Sequence, residues 1–258
     1  MDLGINGRKA LVCASSRGLG RACAEALANE GVQVFINGRD QARLAQPLEE
    51  FRKAGWQATA VTADVTTDAG RSALLEACPE ADILINNNAG PSPRSFVELG
   101  HEEWLAGLEA NMLAPLMLMR ALLPGMRTRR FGRIINVTSA MVKLPHPTMA
   151  LSSGARAGLT AVMKGQSVEC ARDNVTINNL LPFIINTERQ RWLAQRRVEQ
   201  ERITFEQARA DQIKGVAAKR MGDPREFGAI CAFLCSAHAG YISGQSIHVD
   251  GGSYPALI

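Results

Sequence analysis

The sequence predicts an α/β fold: one doubly wound domain spanning residues 1–258, with a seven-stranded parallel sheet and helices on both faces. Three observations predict it. Short apolar runs alternate with helical stretches along the whole chain. A loop of small residues and glycines follows the first run and opens the first helix. No Gly/Ser linker, composition break or internal repeat divides the chain.

The elements follow in order. Ala10–Val12 is the first strand, preceded by Arg8 and Lys9, and residues 18–30 read as a helix ending near Gly31. Val32–Ile36 is the second strand. Asp40 then caps a helix that stops near Gly55. Ala58–Thr62, Asp82–Ile85, Arg133–Val137, Val175–Leu181 and Ser246–Val249 complete the seven strands. Residues 187–221 carry no strand signal. There Arg189, Arg191, Arg196, Arg197 and Arg202 interleave with Trp192, Leu193, Ile203, Phe205 and Ile213. This pattern predicts one or two amphipathic helices between the last two strands, a substrate lid with Trp192 and Phe205 lining the pocket beneath it.

Composition narrows the function. The chain is 46% hydrophobic but only 5% aromatic, so its core is mostly aliphatic. Lys and Arg total 29 against 25 Asp and Glu, a net charge of +4 with no basic block, which argues against a nucleic-acid partner. Six scattered cysteines form neither a CxxC pair nor a Cys/His cluster, so they read as reduced thiols of a cytoplasmic protein without a metal site. Residues 1–4 lack the features of a signal peptide. The longest apolar stretch, residues 112–126, is interrupted by Pro115, Arg120 and Pro124 and is expected to be too short to span a bilayer.

Cys13-Ala14-Ser15-Ser16-Arg17-Gly18-Leu19-Gly20 joins the first strand to the first helix. Small residues let the backbone approach a pyrophosphate, and the helix start aims free N–H groups at it, as in Rossmann-type dinucleotide sites. Ser15, Ser16, Arg17, Gly18, Leu19 and Gly20 are therefore cofactor-binding candidates. An NAD-preferring site places an acid at the end of the second strand. Here Asn37-Gly38-Arg39 stands there, with no acid before Asp40. Arg17 and Arg39 suit a 2′-phosphate, which favours NADP over NAD.

With these motifs in place, the sequence resembles the short-chain dehydrogenase/reductase family nearly end to end. The family's TGxxxGxG loop matches residues 13–20, with Cys13 and Ala14 replacing its Thr and first Gly. Its Asp-Val pair, which contacts adenine, matches Asp64-Val65. Its NNAG motif falls within Asn86-Asn87-Asn88-Ala89-Gly90, where an extra Asn leaves the register open by one residue. Its helix Asn matches Asn111, its catalytic Ser matches Ser139, and its PGxxxT matches Pro182–Thr187 with Phe183 in place of Gly. The resemblance implies that Asn37, Asn87, Asn88, Ala89, Pro182, Ile185 and Thr187 border the cofactor. It also implies a homotetramer with a dimer interface formed by the helix after Asn111 and the helix over 152–172.

The departure falls at the reacting centre. The family's YxxxK motif is replaced by Ser152 and Arg156, as in a divergent branch similar to 3-oxoacyl-(acyl-carrier-protein) reductases. The two tyrosines, Tyr241 and Tyr254, both lie near the C-terminus. A serine hydroxyl is a far weaker acid than a phenol, and Arg cannot relay protons. A lost general acid typically costs about 10²–10⁴ in rate. Three replacements are open: a water chain from Asn111, an acid on the following loop (His146 or Lys143), or Tyr254 of another subunit.

The resulting expectation is an NADP-dependent oxidoreductase interconverting a ketone and a secondary alcohol. Asn111 holds a water, Ser139 and Ser152 polarise the oxygen, and Arg156 binds the ribose. The alternatives are a nucleotide-binding protein without turnover, serving as a sensor or assembly subunit, and a non-redox lyase or isomerase. The substrate is not legible, because the segment that selects it holds the least motif content.

Overall fold

The computed structural model describes residues 1–257. Its sheet contains β1 (Lys9–Val12), β2 (Gln33–Gly38), β3 (Ala58–Thr62), β4 (Ile83–Asn86), β5 (Gly132–Val137), β6 (Val175–Pro182) and β7 (Ser246–Val249). The strand order is β3-β2-β1-β4-β5-β6-β7, every adjacent pair being parallel. The order reverses between β1 and β4, so the crevice at their carboxyl ends is where this architecture binds ligands.

The helices are α1 (Gly18–Asn29), α2 (Gln41–Lys53), α3 (Asp68–Ala77), α4 (His101–Leu108), α5 (Ala114–Thr128), α6 (Ala150–Cys170), α7 (Glu188–Glu201), α8 (Phe205–Lys214) and α9 (Pro224–Cys235). Successive strand residues point to opposite faces. Val12 and Ile85 join Leu27, Leu44 and Phe227 under α1, α2 and α9. Leu11 and Leu84 join Leu74, Leu118 and Leu159 under α3, α5 and α6. Each buried aliphatic side chain contributes about 1.5–3 kcal/mol. Asp40 caps α2 by accepting from the Ala42 N–H at 2.9 Å. The segment after β6 folds as α7 and α8, but Trp192 is 44% exposed and Phe205 37% exposed, so neither is buried beneath it.

The apolar stretch around residues 112–126 belongs to a longer element than its prolines suggested. Helical structure runs unbroken over His101–Thr128, 28 residues, and is long and apolar enough by length and composition to cross a membrane. Here it lies on the sheet, with Leu118, Met119, Leu122 and Met126 in the core. A π-turn over Glu109–Leu113 precedes Pro115 and lets the helix continue: the Ala114 N–H reaches five residues back to the Glu109 carbonyl. Pro115 follows with no N–H to place.

Candidate functional site

The loop after β1 is held by asparagines. Ala14 adopts a left-handed conformation, φ +45°. Its N–H donates to Asn37 Oδ1 at 3.0 Å, and its carbonyl accepts from Asn87 Nδ2 at 3.1 Å. Asn37 Nδ2 donates in turn to the carbonyls of Val61 and Ala63 at 3.1 and 3.0 Å. Ser15 Oγ donates to the Val12 carbonyl at 2.7 Å and accepts the Asn37 N–H at 2.8 Å. Both residues are buried. Ser15 and Asn37, expected among the cofactor-binding residues, direct their side chains inward and build the turn itself.

The turn then presents a helix start. Arg17 precedes α1 in extended backbone, and no side chain caps the helix. Gly18 has φ +59°, and a Cβ on Gly20 would stand 2.4 Å from the Ala14 carbonyl oxygen and 2.7 Å from Asn87 Nδ2. Gly20 thus lets α1 pack directly against the loop, and the uncapped N–H groups at its start are what a pyrophosphate requires. Residues of this loop and of the β6–α7 segment come together: Gly18 faces the Thr187 side chain, and Arg17 pairs with Glu188. Arg39 stands 3.7 Å from Asp64, with its side chain 75% exposed. Partial burial pushes the Asp64 carboxyl up, but the Thr66 N–H and hydroxyl and the Arg39 charge outweigh this and hold it below its ordinary range.

The three consecutive asparagines divide their work. Asn86 stays in the sheet, donating to Asn136 Oδ1 at 2.9 Å, and Asn136 donates to Asn179 Oδ1 at 3.0 Å. Asn179 reaches Ser246 Oγ at 3.3 Å, so a buried amide ladder crosses β4, β5, β6 and β7. Asn87 turns to the first loop, and Asn88 donates to the Ala110 carbonyl at 3.1 Å. The loop pair is therefore Asn87-Asn88, which resolves the register. The adjacent Ala89 is exposed, and Val65 is buried.

Ser139 follows β5, where its Oγ accepts the Met141 N–H at 3.2 Å and its O–H is left to donate. Ser152 and Arg156 lie one turn apart on α6, both buried. Arg156 donates to the Val137 carbonyl at 2.7 Å and to the Asn88 carbonyl at 3.4 Å, bolting α6 to the ends of β5 and β4. Burial and the neighbouring Arg189 charge push its pKa down to about 10, so it remains a cation at neutral pH. Asn111 sits in the π-turn, buried. Its Nδ2 donates to the Gly107 carbonyl at 3.3 Å, while its Oδ1 has no protein partner. Pro182 and Ile185 line the β6–α7 segment, which Gly222 ties through the Asn186 N–H.

The candidate proton donors on the loop after Ser139 have other contacts. His146 Nδ1 meets Thr148 Oγ1 at 3.0 Å and caps a short 3₁₀ turn. Lys143 Nζ stands 5.4 Å over the Tyr254 ring, which stacks on His248 at 4.3 Å within the same chain. Tyr241 is fully exposed. Among the described residues, no three His, Cys, Asp or Glu side chains are grouped to hold a metal ion.

Comparison with known proteins agrees with this geometry. A family model described as enoyl-(acyl carrier protein) reductase matches residues 13–254. A 3-oxoacyl-[acyl-carrier-protein] reductase of Vibrio cholerae is 33% identical over 256 residues, covering 98% of this chain and 99% of the relative. Dehydrogenase/reductase SDR family member 4 of Bos taurus is 31% identical over 260 residues, covering 98% of this chain and 89% of the relative. The L-sorbose reductase of Gluconobacter frateurii, solved with NADPH and L-sorbose, superposes with a TM-score of 0.95 at 30% identity over the full length of both chains. The chain belongs to the short-chain dehydrogenase/reductase superfamily, in a divergent branch similar to the 3-oxoacyl-(acyl-carrier-protein) reductases, with Ser152 and Arg156 where the family carries Tyr and Lys.

Proposed function

We propose that the chain is an NADP-dependent oxidoreductase interconverting a ketone and a secondary alcohol on a small-molecule or acyl substrate. Asn111 carries this reading. Its buried Oδ1 has no protein partner, and a buried acceptor of that kind holds a water. A site without the usual phenol needs a water for its proton.

The residues present fit the cofactor. The uncapped start of α1 and the glycines before it would hold the pyrophosphate, and Arg17 and Arg39 the 2′-phosphate. NADPH bound there supplies a hydride. Relatives solved with NADPH support the same choice. The Ser139 hydroxyl, its acceptor side engaged by Met141, donates to the substrate oxygen. Ser152 supplies a second donor from the same wall. Arg156 braces the wall through Val137 and Asn88, with further N–H groups for the ribose. The Asn111 water delivers the proton to the oxygen as the carbon is reduced.

NADPH oxidation across a ketone panel, beside fluorescence titration of NADPH and NADH, tests the reading. Turnover that disappears in Ser139→Ala is expected. Tight NADPH binding with no turnover on any ketone would favour the second reading, a nucleotide-binding protein without redox chemistry, to which the absence of a phenol beside Ser139 points. Six unpaired buried cysteines support a reducing, cytoplasmic compartment. The family resemblance implies a homotetramer, which light scattering is expected to show.

A further inference from the structure

Arg156 and Arg189 form a cationic pair that the protein does not neutralise. Arg156 is 7% exposed and gives its two hydrogen bonds to main-chain carbonyls, those of Val137 and Asn88. Arg189, in the first turn of α7, is half-buried and gives one N–H to the Pro91 carbonyl at 2.8 Å. Its guanidinium covers the Trp192 ring at 4.7 Å, and Arg196 covers the same ring at 5.8 Å. Among the described residues, no carboxylate pairs with Arg156, Arg189 or Arg196.

The two guanidiniums grip one short loop, Asn88 to Pro91, from different elements. Gly90 lies between the two gripped carbonyls, where a Cβ would be in van der Waals contact with Arg156 Nη2 at 3.5 Å. Burial, and after it the repulsion of a neighbouring guanidinium, pushes both pKa values down. Arginine does not shed its proton at neutral pH, so the uncompensated charge persists. Buried charge of this kind is costly unless an opposite charge arrives. The cofactor phosphates are assigned to the start of α1 and to Arg39 after β2, whereas Arg156 and Arg189 hold the loop after β4, so the missing anion is on the substrate.

Its place relative to the reacting carbonyl follows from α6. Ser152 and Arg156 are four residues apart on one helix face, about 5–6 Å between Cβ atoms. Arg156 and Ser152 thus serve the site from one helix face, and an anion meeting Arg156 is placed close to a carbonyl held by Ser152. The phosphate of a carrier-bound thioester, at the far end of a long pantetheine arm, does not satisfy that spacing.

We propose that the site takes a small oxo acid, its carboxylate held by Arg156 and Arg189 and its ketone oxygen by Ser139 and Ser152. The proposal rests on the reductase reading for its chemistry. The ketone carbon gains a hydride from NADPH and its oxygen a proton from water, giving a hydroxy acid, NADP⁺ and hydroxide, which the buffer neutralises. Arg189, on the segment after β6, thereby sets specificity.

The test compares 2-oxobutanoate and 3-oxobutanoate with their methyl esters and with 3-oxobutanoyl-coenzyme A, in the wild type and in Arg189→Gln. At least one free acid is expected to exceed its ester in kcat/KM by about 10–100-fold, the worth of a charge-assisted hydrogen bond. That ratio is expected to collapse toward one in Arg189→Gln. Equal rates for acid and ester, a preference for the thioester, or a ratio unchanged in the variant would overturn the proposal and leave the reductase reading standing. Calorimetry with malonate on the NADPH-saturated protein covers the absence of turnover. Millimolar binding, weakened about tenfold or more in Arg189→Gln, supports the anion site even if redox chemistry fails. No malonate binding, or binding insensitive to Arg189, overturns it.

Discussion

The side-chain amide of Asn88 donates to the main-chain carbonyl of Ala110 at 3.1 Å, replacing a hydrogen bond that the helix itself cannot make. The Ala114 N–H is directed to Glu109, and Pro115 has no N–H, so the Ala110 carbonyl lacks a helical donor. The loop after β4 thereby fixes the π-turn that carries Asn111. Asn88→Ala is expected to cost about 1 kcal/mol, that of a lost hydrogen bond to a partly buried carbonyl. Urea unfolding measures that cost. Turnover is expected to fall together with it, because Asn111 loses its fixed position.

Ala14 is held in a left-handed conformation by the Asn37 and Asn87 side chains. Only glycine adopts that region without steric cost, and for other residues it costs about 1–2 kcal/mol. Ala14→Gly is therefore expected to stabilise the fold by about 1 kcal/mol, after the glycine's greater freedom in the unfolded chain is subtracted. Thermal unfolding at fixed pH checks it. An unchanged or lower Tm would mean that the asparagine clamp is strained in some other way.

Arg39 has little burial and one long contact, to Asp64 at 3.7 Å, so its charge is available to a ligand. Arg39→Ala is expected to weaken NADPH binding about 10–100-fold while NADH binding changes little. Fluorescence titration of both cofactors reads the difference directly. Equal losses for both would remove Arg39 from 2′-phosphate recognition.

All six cysteines are buried and unpaired. Burial pushes the Cys13 and Cys78 thiols up to about 12 and the Cys235 thiol upward as well, and a hydrogen bond with Cys23, with burial behind it, raises the Cys231 thiol. At pH 8 a thiol near 12 is roughly one part in ten thousand thiolate. Native protein is expected to give almost no fast reaction with a disulfide reagent at that pH, and six equivalents after denaturation.

His248 lies under Tyr254 with neither ring nitrogen hydrogen-bonded and Asp250 3.6 Å from Nδ1, and burial lowers its pKa against the opposing pull of Asp250. The unfolded chain therefore binds a proton below about pH 6.5 that the folded chain resists. Stability is expected to fall as pH drops below that value. His248→Phe is expected to flatten this part of the profile in pH-dependent urea titrations.

Much of this was legible in the residues. The alternation of apolar runs gave the strands within one or two positions, because a sheet covered on both faces needs continuous apolar segments. The Ser152/Arg156 replacement was visible through the family resemblance, which sets Tyr and Lys at those positions. The extent of the helix around Pro115 was not, because a proline reads as a break unless the preceding turn widens. The inward roles of Ser15 and Asn37 were hidden for a related reason: a polar residue in a loop shows its type and not its direction. Asn86, Asn136 and Asn179 did leave a signal, as amides inside otherwise apolar strands, but only strand register joins them.

That ladder bears on how the chain finds its fold. Four strands made largely of interchangeable aliphatic residues offer many alignments of nearly equal hydrophobic merit. A slip of one residue between β5 and β6 would turn the amide of Asn179 to the opposite face and strand that of Asn136, at about 1–3 kcal/mol for each unpaired group. The asparagines thus act as an indexing device, penalising misaligned intermediates while the sheet assembles and leaving a single alignment in which every rung closes.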